Sequence, residues 1–115
     1  MEIKRMLSNQ RMSGMVEYNG VIYFAGLVSQ KEAFAEQLQD ILDNFTNRLE
    51  QAGSDKSRLL SALIILKDMA DFEELNKTWE AWLDGYGTPA RATFKGDLAR
   101  PEVLVEIIFT AAAGK

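Results

Sequence analysis

Hydrophobic and polar positions alternate along MVEYNGVIYFAGLVS, Met15 to Ser29. Asn19-Gly20 sits between two such runs and suits the positive φ angles of a two-residue type I′ turn. The pattern predicts an N-terminal hairpin whose second strand runs from Val21 to Val28. Gly26 interrupts that strand. A glycine there marks either a bulge or a place where another group approaches the backbone closely.

The period then lengthens. Between about Lys31 and Ala52, Phe34, Leu38, Ile41, Leu42, Phe45 and Leu49 recur at three- and four-residue spacings, which is one face of a helix. Gly53 follows as the residue that stops it. SRLLSALIILKDM, from Ser57 to Met69, is a short apolar run rich in Leu and Ile and reads as a buried strand. DFEELNKTWEAWLDG reads as a second helix, with Asp71 placed to cap it and Glu74 three residues on, in capping-box fashion. Phe72, Leu75, Trp79, Trp82 and Leu83 form its apolar stripe. Asn76 lies beside that stripe, where it is either a surface amide or part of a site. Gly85 and Gly87 end the helix. Pro89 and Pro101 each stand near the start of a further strand-like run, where a missing N–H is tolerated.

The predicted order is hairpin, helix, strand, helix and two strands, in a single domain spanning 1–115. Each helix has one apolar face, so the simplest arrangement is a mixed sheet with both helices on one side, an α+β fold. The last strand has Val103, Val105, Ile107 and Phe109 on one side and Leu104, Glu106, Ile108 and Thr110 on the other. Two largely apolar faces imply that the side away from the helices meets another subunit.

The closing stretch, TPARATFKGDLARPEVLVEIIFTAAA, contains a cation and a carboxylate among apolar or small neighbours: Arg91 and Glu106. An antiparallel hairpin centred between Leu98 and Ala99 would set them directly opposite, with Cβ atoms about 4.5–5.5 Å apart. A slip of one residue breaks that register. Two readings stand open. The pair is a structural ion pair; or the planar Arg91 fork binds a small carboxylate while Glu106 holds or deprotonates a water beside it.

Composition narrows the chemistry. The 115 residues include no Cys and no His, which excludes disulfides, thiolate catalysis, Ser-His-Asp triads and most transition-metal sites. No metal and no cofactor is expected. Acid–base work falls to Asp, Glu, Lys, Tyr or bound water. A net charge of -4 disfavours nucleic-acid binding, which needs a basic surface. No apolar run approaches the ~18 residues of a spanning helix, and no signal-peptide pattern is seen, so the default expectation is a cytoplasmic protein away from membranes.

At PARATF…LVEI, and at YNGVIYFAG, LEQAGSDKSRLL and DFEELNKTWEAW, the sequence resembles the YjgF/RidA family of small trimeric proteins, the reactive-intermediate deaminases. The likeness covers nearly the whole chain and is greatest to the short YoaB-like branch. It implies a chorismate-mutase-like α+β fold in which the sheets of three subunits form a central barrel, with ligand clefts between subunits. It also implies hydrolysis of enamines and imines such as 2-aminoacrylate to 2-oxo acids and ammonia. Under the resemblance Arg91 grips the substrate carboxylate and Glu106 positions the attacking water and moves its proton. Gly26 and Thr93 orient the imine, and Asn76 lines the cleft. The chain departs from the family at Met12, often Tyr, and at Thr93, often Cys. Those departures keep alive a second reading, a non-catalytic trimer that binds small carboxylates. An RNA-directed role, also attached to some family members, fits the acidic balance least.

Overall fold

The computed structural model describes residues 1–114. Its sheet has six strands: β1 (Lys4–Ser8), β2 (Ser13–Tyr18), β3 (Val21–Phe24), β4 (Leu59–Leu66), β5 (Ala90–Lys95) and β6 (Val105–Ala112), in the spatial order β1-β2-β3-β6-β4-β5. Helices α1 (Phe34–Gln51) and α2 (Phe72–Trp82) lie against one face.

The β2–β3 hairpin turns at Asn19-Gly20, with φ of 53° and 79°, as a type I′ turn requires. The regular part of β3 stops at Phe24, short of the expected Val28, and pairing resumes only as a single bridge from Leu27 to Ile107. β1 was not foreseen. It is short, nearly all exposed and pairs only with β2, so no burial pattern announces it.

α1 begins at Phe34, where the Glu36 carboxylate accepts the Ala33 N–H. It ends at Gly53, whose φ of 74° lets Ser54 N–H return to the Leu49 carbonyl. The start of α2 differs from expectation: the Asp71 side chain makes no capping bond, and Asp68 instead accepts the Ala70 N–H at 2.9 Å in the turn before it.

The core lies between sheet and helices. Phe45 of α1 meets Phe24 at 4.8 Å and Phe109 at 3.8 Å between ring centroids, and Trp79 of α2 stacks on Phe109 at 5.7 Å. Burial of each such ring removes enough apolar area to stabilise the fold by about 1.5–3 kcal/mol.

The closing strands correct the expected hairpin. β5 pairs in parallel with β4, and β6 pairs antiparallel with β4 on its other side. The cause is α2: a helix between two strands returns the chain to its starting end, so the strands run parallel. β4 therefore separates the two runs that are neighbours in sequence.

Candidate functional site

Arg91 lies on β5, in register with Ala62 of β4, which itself faces Phe109 of β6. Ala62 and Phe109 are buried under the helices, so Arg91 points to the helix side. Its guanidinium carbon sits 5.8 Å from the Phe72 ring and 5.7 Å from the Trp79 ring. Two aromatic faces attract the cation electrostatically and hold its plane. Thr93, two residues on, shares this face. Its hydroxyl oxygen is buried with no hydrogen-bond partner among the described residues. Asn76 is half-buried on α2, at helical spacing between Phe72 and Trp79. Arg91, Thr93 and Asn76 thus belong to one cluster.

That cluster is buttressed from behind. Trp79 contacts Trp82 at 5.8 Å, and Lys56 Nζ donates to the Trp82 carbonyl at 2.8 Å while lying 4.8 Å from the Tyr86 ring centre. A cation at a helix C-terminus is favoured by the unsatisfied carbonyls there.

Glu106 belongs elsewhere. On β6, Val105, Ile107, Phe109 and Ala111 are buried toward the helices, and Glu106, Ile108 and Thr110 alternate onto the opposite face. Gly26 packs against Glu106 on that face: a Cβ there would overlap Glu106 Oε2 and come within 3.1 Å of Ile108. The glycine signal in the sequence therefore marks a close approach, that of a carboxylate. Gly26 and Glu106 form a second cluster.

The expected opposition of Arg91 and Glu106 does not occur. Glu106 is in register with Ile65, and Ile65 with Phe94; Arg91 is three residues earlier on β5. Two strand spacings and three residue rises put the Cα atoms roughly 14 Å apart, and the side chains leave opposite faces. Within one copy they make neither a structural ion pair nor a joint site.

The apolar periodicity hid three contributors. Phe72 and Trp79 read as ordinary core, though an Asn between two aromatics on one helical stripe was the signal of a lined wall. Gln37 was passed over as a polar position in α1, although it falls on the apolar stripe beside Leu38. It is fully buried.

Met12 lies exposed in the β1–β2 loop, its N–H bonded to Asn9 Oδ1 at 3.0 Å. No group of three or more His, Cys, Asp or Glu able to hold a metal occurs among the described residues. No described helix is long and apolar enough to cross a membrane.

The outer face of the sheet has apolar side chains left uncovered: Tyr23, Leu63 and Phe94 are 52%, 38% and 45% exposed. Ile65 and Ile108 between them are half-buried.

Comparison with known proteins agrees with this architecture. Residues 2–113 match the family model described as Endoribonuclease L-PSP. A RutC family protein of Haemophilus ducreyi is 39% identical, with 96% of each chain covered. RutC family protein YoaB of Escherichia coli is 37% identical over 97% of this chain and 99% of its own. The crystal structure of a YjgF family member from Neisseria meningitidis superposes with a TM-score of 0.95 at 41% identity, covering 100% of this chain and 98% of the other. The six-stranded sheet with two helices on one side is therefore the YjgF fold, and the chain belongs to the Endoribonuclease L-PSP family, in which its RutC, YoaB and YjgF relatives stand.

Proposed function

We propose that the protein is an imine/enamine deaminase whose site forms between copies of the chain. The observation that carries this reading is the split itself. The Arg91 guanidinium and the Glu106 carboxylate, the two groups the chemistry needs, sit on opposite faces of one sheet. A second copy laid on the outer face would bring its own edge strand, and hence its own Arg91, toward Glu106 and Gly26. The uncovered Tyr23, Leu63 and Phe94 support such an association, since contiguous exposed apolar surface marks interaction sites. Three copies arranged cyclically would close the outer faces into a barrel and make three equivalent clefts. A distant relative, 24% identical over 72% of this chain, is named Reactive Intermediate Deaminase A, chloroplastic, from Arabidopsis thaliana.

In this reading Arg91 grips the substrate carboxylate through two parallel N–H donors. The Phe72 and Trp79 rings keep the guanidinium oriented without neutralising it, so its charge is left for the ligand. Glu106 accepts a proton from a water as the water oxygen bonds to the imine carbon. Glu106 passes that proton to the nitrogen as the C=N π pair moves there. The hydroxyl of the resulting tetrahedral carbon then yields its own proton, through Glu106, to the same nitrogen. The C–N bond breaks as C=O forms, and ammonia leaves with both water protons while the 2-oxo acid remains. Thr93 and Asn76 supply polar contacts on the Arg91 side and Gly26 a close backbone approach on the other. The chemistry requires neither His nor Cys, metal nor cofactor.

The test is release of pyruvate from 2-aminoacrylate generated in situ. Wild type should exceed the spontaneous rate, and Arg91→Ala should lose most of the excess. A wild-type rate equal to the spontaneous one would overturn deamination. Saturable binding of a 2-oxo acid in that case, abolished by Arg91→Ala, would establish the second reading, a non-catalytic carboxylate-binding trimer.

A further inference from the structure

Gln37 is a polar side chain with no exposure at all, set in the first turns of α1. A buried amide without partners would cost about 1–3 kcal/mol for each unsatisfied group, yet here both N–H donors and the carbonyl oxygen have partners. Nε2 donates to the Lys31 carbonyl and to the Glu102 carbonyl, each at 2.9 Å, and Oε1 accepts the Leu104 N–H at 2.9 Å. One side chain thus ties α1 to two loops. One loop follows Gly26; the other leads into β6.

A second contact acts on the first loop. One turn along α1, Asp40 accepts the Ser29 hydroxyl at 2.6 Å, and Ser29 Oγ accepts the Lys31 N–H at 3.1 Å. Between the two loops runs a two-way backbone bridge: Leu27 N–H to Ile107 carbonyl at 2.9 Å, and Ile107 N–H to Leu27 carbonyl at 3.2 Å. Gly26 immediately precedes Leu27, and Glu106 immediately precedes Ile107. The contact of Gly26 with the Glu106 carboxylate is therefore set by a bridge whose two strands are each anchored to α1, at Lys31 and Ser29 on one side and at Glu102 and Leu104 on the other.

We infer that Gln37 is a positioning residue for Glu106: it fixes the carboxylate over Gly26 from the far face of the sheet, touching neither ligand nor water. The inference rests on the proposed role of Glu106 and adds the device that holds it. Displacement of a catalytic group by about 1 Å can reduce turnover about 100-fold, so the loss of three hydrogen bonds, one of them to Leu104 two residues before Glu106, should show in kcat. Carboxylate affinity resides on Arg91, in the other cluster, and should not change.

The experiment compares Gln37→Met with Ser54→Ala. Ser54 is also buried, and its hydroxyl donates to the Ala112 carbonyl at 2.8 Å, six residues along β6 from Glu106, so it reports loss of stability without loss of position. Gln37→Met should lower kcat for imine hydrolysis about tenfold or more, with KM and 2-oxo acid binding within about twofold of wild type. Ser54→Ala should keep kcat within about twofold. Asp40→Asn, which weakens only the Ser29 contact, should give a smaller fall in the same direction and serves if Gln37→Met does not fold. Equal kcat losses in Gln37→Met and Ser54→Ala, or an unchanged kcat in both Gln37→Met and Asp40→Asn, would overturn the inference. If the wild type turns over no imine, the proposed reaction has failed separately. The Glu106 carboxyl resonance, assigned by its loss in Glu106→Gln, then decides: at one fixed pH its chemical shift should move in Gln37→Met or Asp40→Asn and stay put in Ser54→Ala, and a resonance unmoved in all three would overturn the positioning role.

Discussion

The two halves of the candidate site are held in different ways. Arg91 stands on an edge strand, and its head is restrained by the flat faces of Phe72 and Trp79. Such contacts contribute about 0.5–2 kcal/mol and tolerate sliding of the cation over the ring. Glu106 stands on a strand paired on both sides, packed tightly on a glycine with no room for a methyl group. The lesson is that the group expected to capture a variable ligand sits where it can adjust, and the group expected to act on a small water sits where it cannot.

The strongest way to break that contrast is to mix two disabled proteins. Arg91→Ala and Glu106→Gln should each be inactive alone. Co-refolded in equal amounts they should recover about a quarter of wild-type activity, because one cleft in four draws an intact Arg91 from one copy and an intact Glu106 from its neighbour. No recovery would place both groups in one copy's site and contradict the arrangement.

Gly26→Ala probes the rigid half. The added methyl must displace the Glu106 carboxylate, so kcat should fall at least tenfold, with a stability loss of about 1–3 kcal/mol from overpacking. Urea unfolding alongside steady-state kinetics checks both. Phe72→Leu probes the adjustable half and should act less: KM for the imine should rise by a few-fold as one aromatic face is lost, with kcat nearly unchanged. A fall in kcat without a change in KM would show that Phe72 serves the chemistry rather than the anchor.

The smallest effect concerns Asp71, whose carboxyl is pushed above its ordinary value by burial and, next, by the charges of Asp68 and Glu74. A carboxyl raised on folding favours the folded state while it is protonated and loses that contribution as pH climbs through its folded value. Asp71→Asn should therefore slightly raise the melting temperature at pH 7 relative to wild type and leave it nearly unchanged near pH 3. A mutant that is less stable at pH 7 would show that the charge contributes favourably at the start of α2.

Much of this was legible from local chemistry. Asn19-Gly20 announced its hairpin because both residues tolerate positive φ, and the α1 stripe from Phe34 to Leu49 announced its buried face by spacing alone. Gly26 signalled either a bulge or a close approach, without deciding between them or naming the group that approaches. Strand pairing was less legible. Nothing in TPARATFKGDLARPEVLVEIIF says that a strand from some thirty residues earlier will insert between its two runs. That outcome depends on α2 acting as a crossover, a relation between distant segments. The cluster assignments went the same way: Arg91 and Glu106 were found as residues, but the face each takes follows from the inserted β4. β1 was missed because an exposed edge strand has no buried face to betray it.

β6 is the last of the six strands in chain order, yet it lies third from one border of the sheet, with β3 on one side and β4 on the other. In chain order the first hairpin and both helices precede the strand that joins them. Without β6, β3 and β4 would each be left with an open row of N–H and C=O groups. A chain cut short before Val105 would therefore be left with two sheet fragments where there should be one, each with an edge open to pairing with another chain.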